Sequence, residues 1–438
     1  MTTTINNEHK ELNFSSEREQ SQTCLNSAEH EKNQGRKVLN VPNLRFPEFQ
    51  GEWEKMRLDA FTERVMRKNK NNLSQLPLTI SAQYGLVDQV TFFNKVIAST
   101  DMSNYYLLKK GEFAYNKSYS SDYPWGAIKR LDRYDQGALS SLYICFALQD
   151  SIVSDYVLQY FESPKWHKGV SEIAVEGARN HGLLNVSVQD FFHTYHYVPK
   201  EKEEQIKIGK FLALLDERIA TQNKVIDKLQ SLIKGLNNHL FQLCESNIET
   251  SFADFGVSYS GLSGKTASDF GSGKPFITYL NVYSNDVIDE TSYQYVRMGD
   301  KEKQNVVRYG DVLFTLSSET PEEVGIGSVY LGNQEVYLNS FCFGIHVTNT
   351  QKAFSPYLSY YISTTQFRKF IYPFAQGSTR FNLCKADFEK ARFKLPSLEN
   401  QKRIYESLKC LSDKVAAEGA ILKQYHSQKQ YLLRQMFI

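Results

Sequence analysis

The 438-residue sequence lacks the features that mark a membrane protein or a secreted protein. No apolar run approaches the ~18–20 residues needed to cross a bilayer, and no charged-then-apolar start resembles a signal peptide. We therefore expect a cytoplasmic protein with no membrane partner. The net charge of +2 is too small to indicate nucleic-acid binding by itself, so local basic clusters are more informative than the total.

Metal-ligand and disulfide patterns are also missing. The six cysteines are scattered without C-x-x-C spacing, which fits reduced thiols better than a disulfide framework or a zinc site. His193 and His196 are three residues apart, but no cysteine or carboxylate cluster accompanies them. Two histidines on one strand face are therefore a better interpretation than a metal site, and we predict no metal.

Two stretches imitate phosphate-binding loops but have the wrong spacing. Gly264-Lys265-Thr266 ends like a P-loop, yet Tyr259 occupies the position of the required first glycine. Pro275 follows Gly273-Lys274 and offers no hydroxyl for magnesium. Gly325-Ile326-Gly327 lacks the third glycine of a dinucleotide fingerprint. With no helicase, nuclease or amino-methyltransferase motif either, the chain is predicted to be a binding protein without a catalytic centre or a cofactor of its own.

The sequence does contain one heptad-patterned helix twice, at an offset of 196 residues. Alternating steps of three and four run from Gln205 to Leu240 and from Gln401 to Met436, and most of these positions are apolar. This spacing is typical of a coiled coil, so the two helices are predicted to pair antiparallel. Gln222 and Glu418 share the central position, where we predict that they fix the register. An arbitrary helical bundle is the simpler alternative, but the shared register argues against it.

The repeat also extends upstream of the helices. A Gly-acid turn opens a strand-like run in both Lys110-Gly-Glu-Phe-Ala-Tyr115 and Tyr309-Gly-Asp-Val-Leu-Phe314. Gly177-Ala-Arg179 likewise corresponds to Gly377-Ser-Thr-Arg380. The predicted fold is α+β: two similar globular domains of mixed β-sheet and helices, separated by the two long helices in a pseudo-two-fold repeat. The predicted segments are a polar, disordered arm (1–42), a first domain (43–200), a first helix (201–244), a second domain (245–398) and a second helix (399–438).

The loops after the matched strands are candidate DNA contacts. Duplex DNA carries one negative charge per ~1.7 Å, so a binding face needs basic side chains, while amides and arginines read base edges. Loops on a rigid scaffold often carry such residues. For a single basic cluster such as Phe367-Arg368-Lys369, a solvated surface is the simpler interpretation. For Arg179 and Arg380, the alternative to phosphate contact is an arginine that ties the loop to its own domain. The candidate DNA-binding residues are Lys117, Ser118, Tyr119, Arg179, Asn180, Ser317, Ser318, Glu319 and Arg380.

The segment Asn43-Leu44-Arg45-Phe46-Pro47, followed by Gly51 and Trp53, resembles the start of the specificity subunits of type I restriction–modification systems. The duplicated Gly-acid strands, Gly-x-Arg loops and spaced helices resemble that family too, from about residue 43 to the end. The polar first forty residues are the main departure.

This resemblance implies two target recognition domains that direct partner subunits to a split, asymmetric site on double-stranded DNA. The helices would dock two modification (methyltransferase) subunits, and restriction subunits would supply translocation and cleavage. S-adenosylmethionine, ATP and Mg would then be bound by partners rather than by this chain. The implied location is the bacterial cytoplasm, in association with DNA.

Three alternatives come from other classes. A coiled-coil scaffold protein would bind protein partners without sequence-selective DNA binding. A DNA-modifying enzyme would be active as the purified chain with a cofactor. A tandem-domain repressor would bind DNA alone, although no helix-turn-helix pattern supports it.

Overall fold

The computed structural model describes residues 39–174, 182–244, 247–299 and 301–438, which fall into two compact units. Unit 1 contains the described residues up to Asp216 together with Ser427–Ile438, and unit 2 is Glu217–His426. Most of the predicted arm lies outside the described residues. At its end, the Asn40 carbonyl accepts a hydrogen bond from the Trp53 N–H at 2.8 Å. None of the helices in the described ranges is both long enough and apolar enough to span a membrane.

Unit 1 is built from short strands and helices. Its strands are β1 Glu54–Arg57, β2 Thr62–Arg64, β3 Pro77–Ser81, β4 Gly85–Asp88, β5 Tyr106–Lys109, β6 Phe113–Asn116, β7 Ala127–Arg130, β8 Gln136–Leu139, β9 Ile144–Leu148 and β10 Tyr195–Val198. Its helices are α1 Gln89–Phe93, α2 Ser154–Glu162, α3 His167–Ile173, α4 Val188–Phe192 and the first part of α5 Lys202–Leu243.

Unit 2 repeats this plan. Its strands are β11 Asn247–Thr250, β12 Gly256–Ser260, β13 Phe270–Ile277, β14 Gln294–Val296, β15 Val312–Thr315, β16 Ser317–Ser318, β17 Gly327–Val329, β18 Tyr337–Leu338, β19 Cys342–Val347, β20 Ala375–Gln376, β21 Phe381–Leu383 and β22 Phe393–Pro396. Its helices are α6 Phe252–Phe255, α7 Tyr279–Ser284, α8 Ser355–Tyr361, α9 Thr365–Ile371, α10 Lys385–Lys390 and most of α11 Leu398–Gln435.

The sheets show the duplication most clearly. In unit 1 an antiparallel sheet has the order β2-β9-β6-β7, and in unit 2 the order β12-β19-β15-β17 repeats it. A second sheet contains one parallel pair in each unit, β3 with β8 and β13 with β18. A third pair, β1 with β10 and β11 with β22, precedes each long helix. The fold is therefore an α+β internal repeat with mixed sheets.

The Gly-acid motif forms the same turn in both units. Gly111 and Gly310 have φ values of +87° and +89°, a left-handed conformation that favours glycine. The carboxylate of Glu112 then accepts the Lys109 N–H at 2.7 Å, and that of Asp311 accepts the Arg308 N–H at 2.9 Å. β6 and β15 follow these turns into the core, where almost every side chain is buried.

The carboxylates of the two Gly-acid turns have different hydrogen-bond partners. Arg67 donates to both carboxylate oxygens of Glu112, at 2.9 and 3.2 Å. Asp311 instead accepts from the Tyr259 hydroxyl at 2.7 Å and lies 2.9 Å from His346 Nδ1. Burial raises the pKa of Asp311. The framework is thus shared, while its supporting residues have diverged.

The two long helices pair along the predicted seam. Every heptad position from Gln205 to Leu240 and from Gln401 to Met436 is buried or half-buried. In unit 2, Phe241 near the end of α5 belongs to the core cluster that contains Ile404, near the start of α11. Gln222, earlier on α5, bonds to Glu418, later on α11. The pairing is therefore antiparallel. In unit 1 the same helices are joined by an ion pair between Asp216 and Lys429.

His193 and His196 do not share a strand face. His193 caps the end of α4 and is exposed, whereas His196 lies in β10 and is 3% exposed. His196 Nδ1 lies 2.8 Å from the Tyr160 hydroxyl, and its Nε2 lies 2.8 Å from Thr194 Oγ1. Within the described ranges, no group of three or more histidine, cysteine or acidic side chains could hold a metal ion.

Candidate nucleic-acid interface

In unit 1 the loop after β6 lies beside a segment more than sixty residues later in the chain. Ser118 forms an isolated antiparallel bridge with Leu183. The Tyr119 N–H donates to the Gly182 carbonyl at 3.0 Å, and the Leu184 N–H donates to the Lys117 carbonyl at 2.9 Å. The loop after β6 and residues 182–184 are thus adjacent. Arg179 and Asn180 immediately precede this segment but lie outside the described residues.

The side chains of this first loop differ in availability. The Tyr119 side chain is 50% exposed. Ser118 is also exposed, and its N–H donates to Asn116 Oδ1 at 3.0 Å. Lys117 is half-buried, with its ammonium group 3.4 Å from the Val186 carbonyl. The loop therefore exposes the Tyr119 ring, while Lys117 is partly covered.

Unit 2 brings the matching motifs together as a small sheet. β16 pairs with β21 so that Ser317 is opposite Asn382 and Ser318 is opposite Phe381. Arg380 directly precedes β21 and Glu319 directly follows β16, and both are exposed. β20 completes the sheet on the other side of β21. The structure therefore brings the four predicted residues of unit 2 together, on the paired strands β16 and β21 or directly beside them.

Two of these residues also support the loop. Ser318 is 7% exposed, and its hydroxyl donates to the Thr320 carbonyl. The Ser317 carbonyl accepts a hydrogen bond from Tyr279 at 2.7 Å. Burial raises the pKa of Tyr279, so its hydroxyl stays a donor at neutral pH. Glu319 and Arg380 thus remain the side chains of this set that project from the surface.

Sequence reasoning missed the residue that anchors the loop between β16 and β17. Arg368 of α9 donates from Nη1 to the Gly325 carbonyl at 2.8 Å, and from Nη2 to the carbonyls of Glu322 and Val324 at 2.7 Å each. Its setting beside Phe367 and Lys369 suggested a surface cluster. The local sequence does not distinguish an arginine that anchors a loop from a solvated one, because the acceptors of Arg368 lie more than forty residues away.

The predicted register pair is also brought together. Gln222 Nε2 donates to the carboxylate of Glu418 and, at 3.0 Å, to its main-chain carbonyl. Lys414 pairs with the same carboxylate one helical turn away. The hydrogen bond from Lys414 and, to a smaller extent, the one from Gln222 hold the pKa of Glu418 below its usual range. The charged form is therefore the one that fits this seam.

The opening motif clamps the start of α5. Arg45 donates to both carboxylate oxygens of Glu204, at 2.7 and 2.8 Å, and Trp53 Nε1 donates to the same group at 3.2 Å. Glu204 is 1% exposed, so these bonds offset the cost of burying its charge. Phe46 packs edge-on against Phe211, with ring centroids 5.7 Å apart. The motif is thus structural in unit 1.

Comparison with known proteins identifies the domain. Residues 264–424 match the family described as the type I restriction modification DNA specificity domain. A sequence search of curated proteins gives no match.

Several solved structures share the fold. A chain from a structure of complex assembly and conformational transition in the type I R-M system has 17% sequence identity and a TM-score of 0.52, covering 88% of this chain and 97% of that one. The type I S subunit from M. genitalium has 14% identity and a TM-score of 0.48, with 91% and 99% covered. The HsdS subunit from Thermoanaerobacter tengcongensis has 16% identity and a TM-score of 0.39, with 88% and 96% covered.

The first of these likenesses shows a shared fold over most of both chains. The domain match places the family's DNA specificity module on the described sheets of unit 2. Residues 264–424, which make up most of unit 2, therefore carry the type I restriction modification DNA specificity domain.

Proposed function

We propose that each unit recognises one half of a bipartite, asymmetric DNA site, and that partner subunits methylate and cleave the DNA. The observation that carries this proposal is the repeated pairing at the candidate interface. In both units the loop after the central strand meets the segment after the Gly-x-Arg motif. The shared backbone carries different side chains, Lys117 and Tyr119 in unit 1 and Glu319 and Arg380 in unit 2. Different side chains on one scaffold would read different bases.

The proposed roles follow from the chemistry of each side chain. Arg380 and Lys117 would contact phosphates, because cations neutralise the backbone without reading sequence. Glu319 can only accept hydrogen bonds, so it would select an amino group such as cytosine N4 in the major groove. Tyr119 offers a half-exposed ring and a hydroxyl for a base edge.

In unit 1, Arg179 and Asn180 are also proposed to contact DNA. Ser118 and Ser317 would contact DNA from the same loops as Tyr119 and Glu319. Ser318 would act indirectly, by fixing the shape of its loop.

We assign residues 43–200 and 245–398 as the two target recognition domains. Residues 201–244 and 399–438 would be the helical spacers that dock two modification subunits. Exposed apolar side chains on α5, among them Leu214 and Leu232 at 60% and 52% exposure, are consistent with such docking. Restriction subunits would join this complex. The partners would bind S-adenosylmethionine, ATP and Mg, which fits the absence of phosphate-loop spacing in this sequence.

Methylome mapping tests this function. The chain is expressed with a type I modification subunit, and methylated motifs are mapped in the host DNA. The expected result is a split motif, with two short blocks around a fixed nonspecific gap. Replacing residues 43–200 by another recognition domain should change one block, and replacing 245–398 should change the other, each serving as the matched control. An assembled, soluble complex that gives no new methylation would support the scaffold alternative.

A further inference from the structure

The loop between β16 and β17 in unit 2, residues 319–326, is fixed from inside the domain by one cation. The three side-chain hydrogen bonds that Arg368 makes within the described residues all go to main-chain carbonyls of this loop, at 2.7–2.8 Å. The acceptors belong to Glu322, Val324 and Gly325, so a single guanidinium spans four consecutive residues. Arg368 is half-buried, and this burial lowers the pKa of its guanidinium.

The fork shape of arginine suits this position. A guanidinium presents several donors in one plane and keeps its hydrogen bonds parallel, whereas a lysine ammonium is a compact, strongly hydrated point charge. Hydrogen bonds that involve a charged donor are shorter and about twice as strong as neutral ones. Arg368 therefore holds the loop in one conformation in a way that an apolar side chain of the same length does not.

Other contacts fix the same loop at its edges. The Tyr283 hydroxyl donates to the Glu323 carboxylate at 2.8 Å. Gly325 has a φ of +62°, and a Cβ placed there would lie 2.4 Å from Ile371 Cδ1. The loop is thus pressed closely onto α9. Glu319 and Glu322, in contrast, have exposed side chains.

The equivalent loop of unit 1 is held differently. There the Tyr115 hydroxyl donates to the Trp125 carbonyl at 2.9 Å. Gly126, with a φ of +76°, leaves room for only a hydrogen, because a Cβ would lie 2.1 Å from the Asn116 carbonyl oxygen. A change at Arg368 should therefore alter unit 2 and leave the first loop intact.

We infer that Arg368 is a positioning residue for base recognition by unit 2. It would act through the 319–326 loop rather than by touching DNA, and the inference rests on the function proposed above. Recognition geometry must be held within about 0.5 Å, so the removal of the anchor should relax sequence selection. Without Arg368, a base-contacting side chain of the loop would no longer be held in one position. The expected effect on selectivity is therefore similar to that of losing one base contact.

The test uses the assembled complex of the full chain with its modification subunits and DNA. R368M removes the donors but keeps the length of the side chain, and R368K keeps the charge without the planar fork. The matched control is Y361F, which deletes a buried hydroxyl in unit 2 that donates to the Lys394 carbonyl at 2.7 Å. Methylome mapping reports the selectivity at each block of the motif, and thermal melting reports the stability of every variant.

R368M is expected to relax the block read by unit 2 by roughly 10- to 100-fold at one or more positions, while the other block stays unchanged. R368K should be intermediate, and it carries the test alone if R368M does not assemble. Y361F should melt lower yet keep both blocks. The inference is overturned if the arginine variants retain full selectivity, or if Y361F relaxes the same block, because destabilisation alone would then explain the effect.

A further variant separates this inference from the proposed function. E319Q changes an exposed side chain of the same loop without disturbing Arg368. If E319Q alters the unit 2 block and R368M does not, the positioning role fails and the recognition role stands. If E319Q, R368M and R368K all leave the block unchanged, then the recognition role assigned to this loop fails as well.

Discussion

Gln222 on α5 donates its amide hydrogens to both the carboxylate and the main-chain carbonyl of Glu418 on α11, within unit 2. The two residues are 196 positions apart and occupy the same place in the two copies of the heptad pattern. The contact therefore joins equivalent positions of the two repeated helices. Because amide and carboxylate are complementary only in this alignment, the pair specifies one register among several that apolar positions alone would allow.

Replacement of one member should cost stability, and replacement of both should recover it. Q222L removes the amide donor and leaves Glu418 facing an apolar side chain, so we expect a lower melting temperature. Q222L/E418L removes both polar groups and should melt at or above the parent. A double-mutant thermal cycle measures the coupling, and K414A is the control that removes only the intrahelical ion pair. Additive single effects would contradict a register role for the pair.

The same pair has a pH dependence with a definite sign. The folded pKa of Glu418 lies below its usual value, so the unfolded chain binds the proton first as the pH falls. Its contribution is present above the ordinary glutamate pKa of 4.5 and is lost as the pH falls through the folded value. E418Q should flatten this part of the stability profile measured by thermal melting. An unchanged profile below pH 5 would show that the carboxylate does not contribute.

The heptad spacing predicted the long helices because a period of 3.5 residues is a local signal. The first seam residues show the limit of that signal. Gln205 and Gln401 start the two patterns, yet in the structure they tie the helix to its own domain. Gln205 Oε1 accepts the Val153 N–H at 2.9 Å, and Gln401 Oε1 accepts the Phe354 N–H at 2.8 Å. These partners are about fifty residues away, so no local pattern could identify them.

This duplicated glutamine contact allows a matched stability test. Each side-chain amide also donates to a proline carbonyl between the preceding strand and the helix. The acceptors are Pro199, directly after β10, at 2.9 Å and Pro396, the last residue of β22, at 2.8 Å. Q205A and Q401A should each cost about 3 kcal/mol of unfolding free energy, because a buried N–H and a buried carbonyl lose their partners. Denaturant unfolding of the two variants measures this loss. Substitution of exposed Gln428 to alanine is the control, and losses below about 1 kcal/mol would contradict a clasp role.

The candidate interface was predictable in part. The Gly-acid turns predicted which strands would end in loops, since glycine conformation and strand alternation are local properties. The pairing of Ser118 with Leu183 and of Ser317 with Asn382 was not predictable, because strand pairing over more than sixty residues depends on tertiary packing. Arg368 was missed for the same reason.

Unit 1 should lose stability in mild acid because of His196. Thr194 Oγ1 donates to the Phe191 carbonyl at 2.8 Å, so it accepts from His196 Nε2, and Nδ1 accepts from the Tyr160 hydroxyl. Burial lowers the pKa of His196 from 6.5 to about 3. The unfolded chain therefore binds the proton first, and the contribution is complete above about pH 6.5 and falls as the pH falls toward 3.

Between pH 7 and pH 5 this histidine alone should cost about 2 kcal/mol. The H196Q variant cannot bind a proton and should show a correspondingly smaller change over that interval. Denaturant unfolding at the two pH values measures the difference, and H193Q, at an exposed position, is the matched control. Equal pH dependence in H196Q and the parent would show that another group controls acid stability.

Arg380 allows a test that separates phosphate contact from base reading. It is exposed beside β21, in a turn where Gly377 has a φ of +136° and a Cβ would lie 2.1 Å from the Arg380 carbonyl oxygen. The turn thus fixes the backbone from which the guanidinium projects. If that group neutralises one phosphate, R380A should weaken binding of the assembled complex to every duplex. It should also reduce the slope of log affinity against log salt by about 0.9. The methylated motif should stay the same.

E319Q is the complementary variant, expected to change one position of the motif with little effect on the salt slope. Affinity measured by fluorescence anisotropy at several salt concentrations decides between them. A changed motif with an unchanged slope in R380A would assign this arginine to a base edge instead, because a guanidinium bonded to guanine discriminates sequence whereas one bonded to phosphate does not.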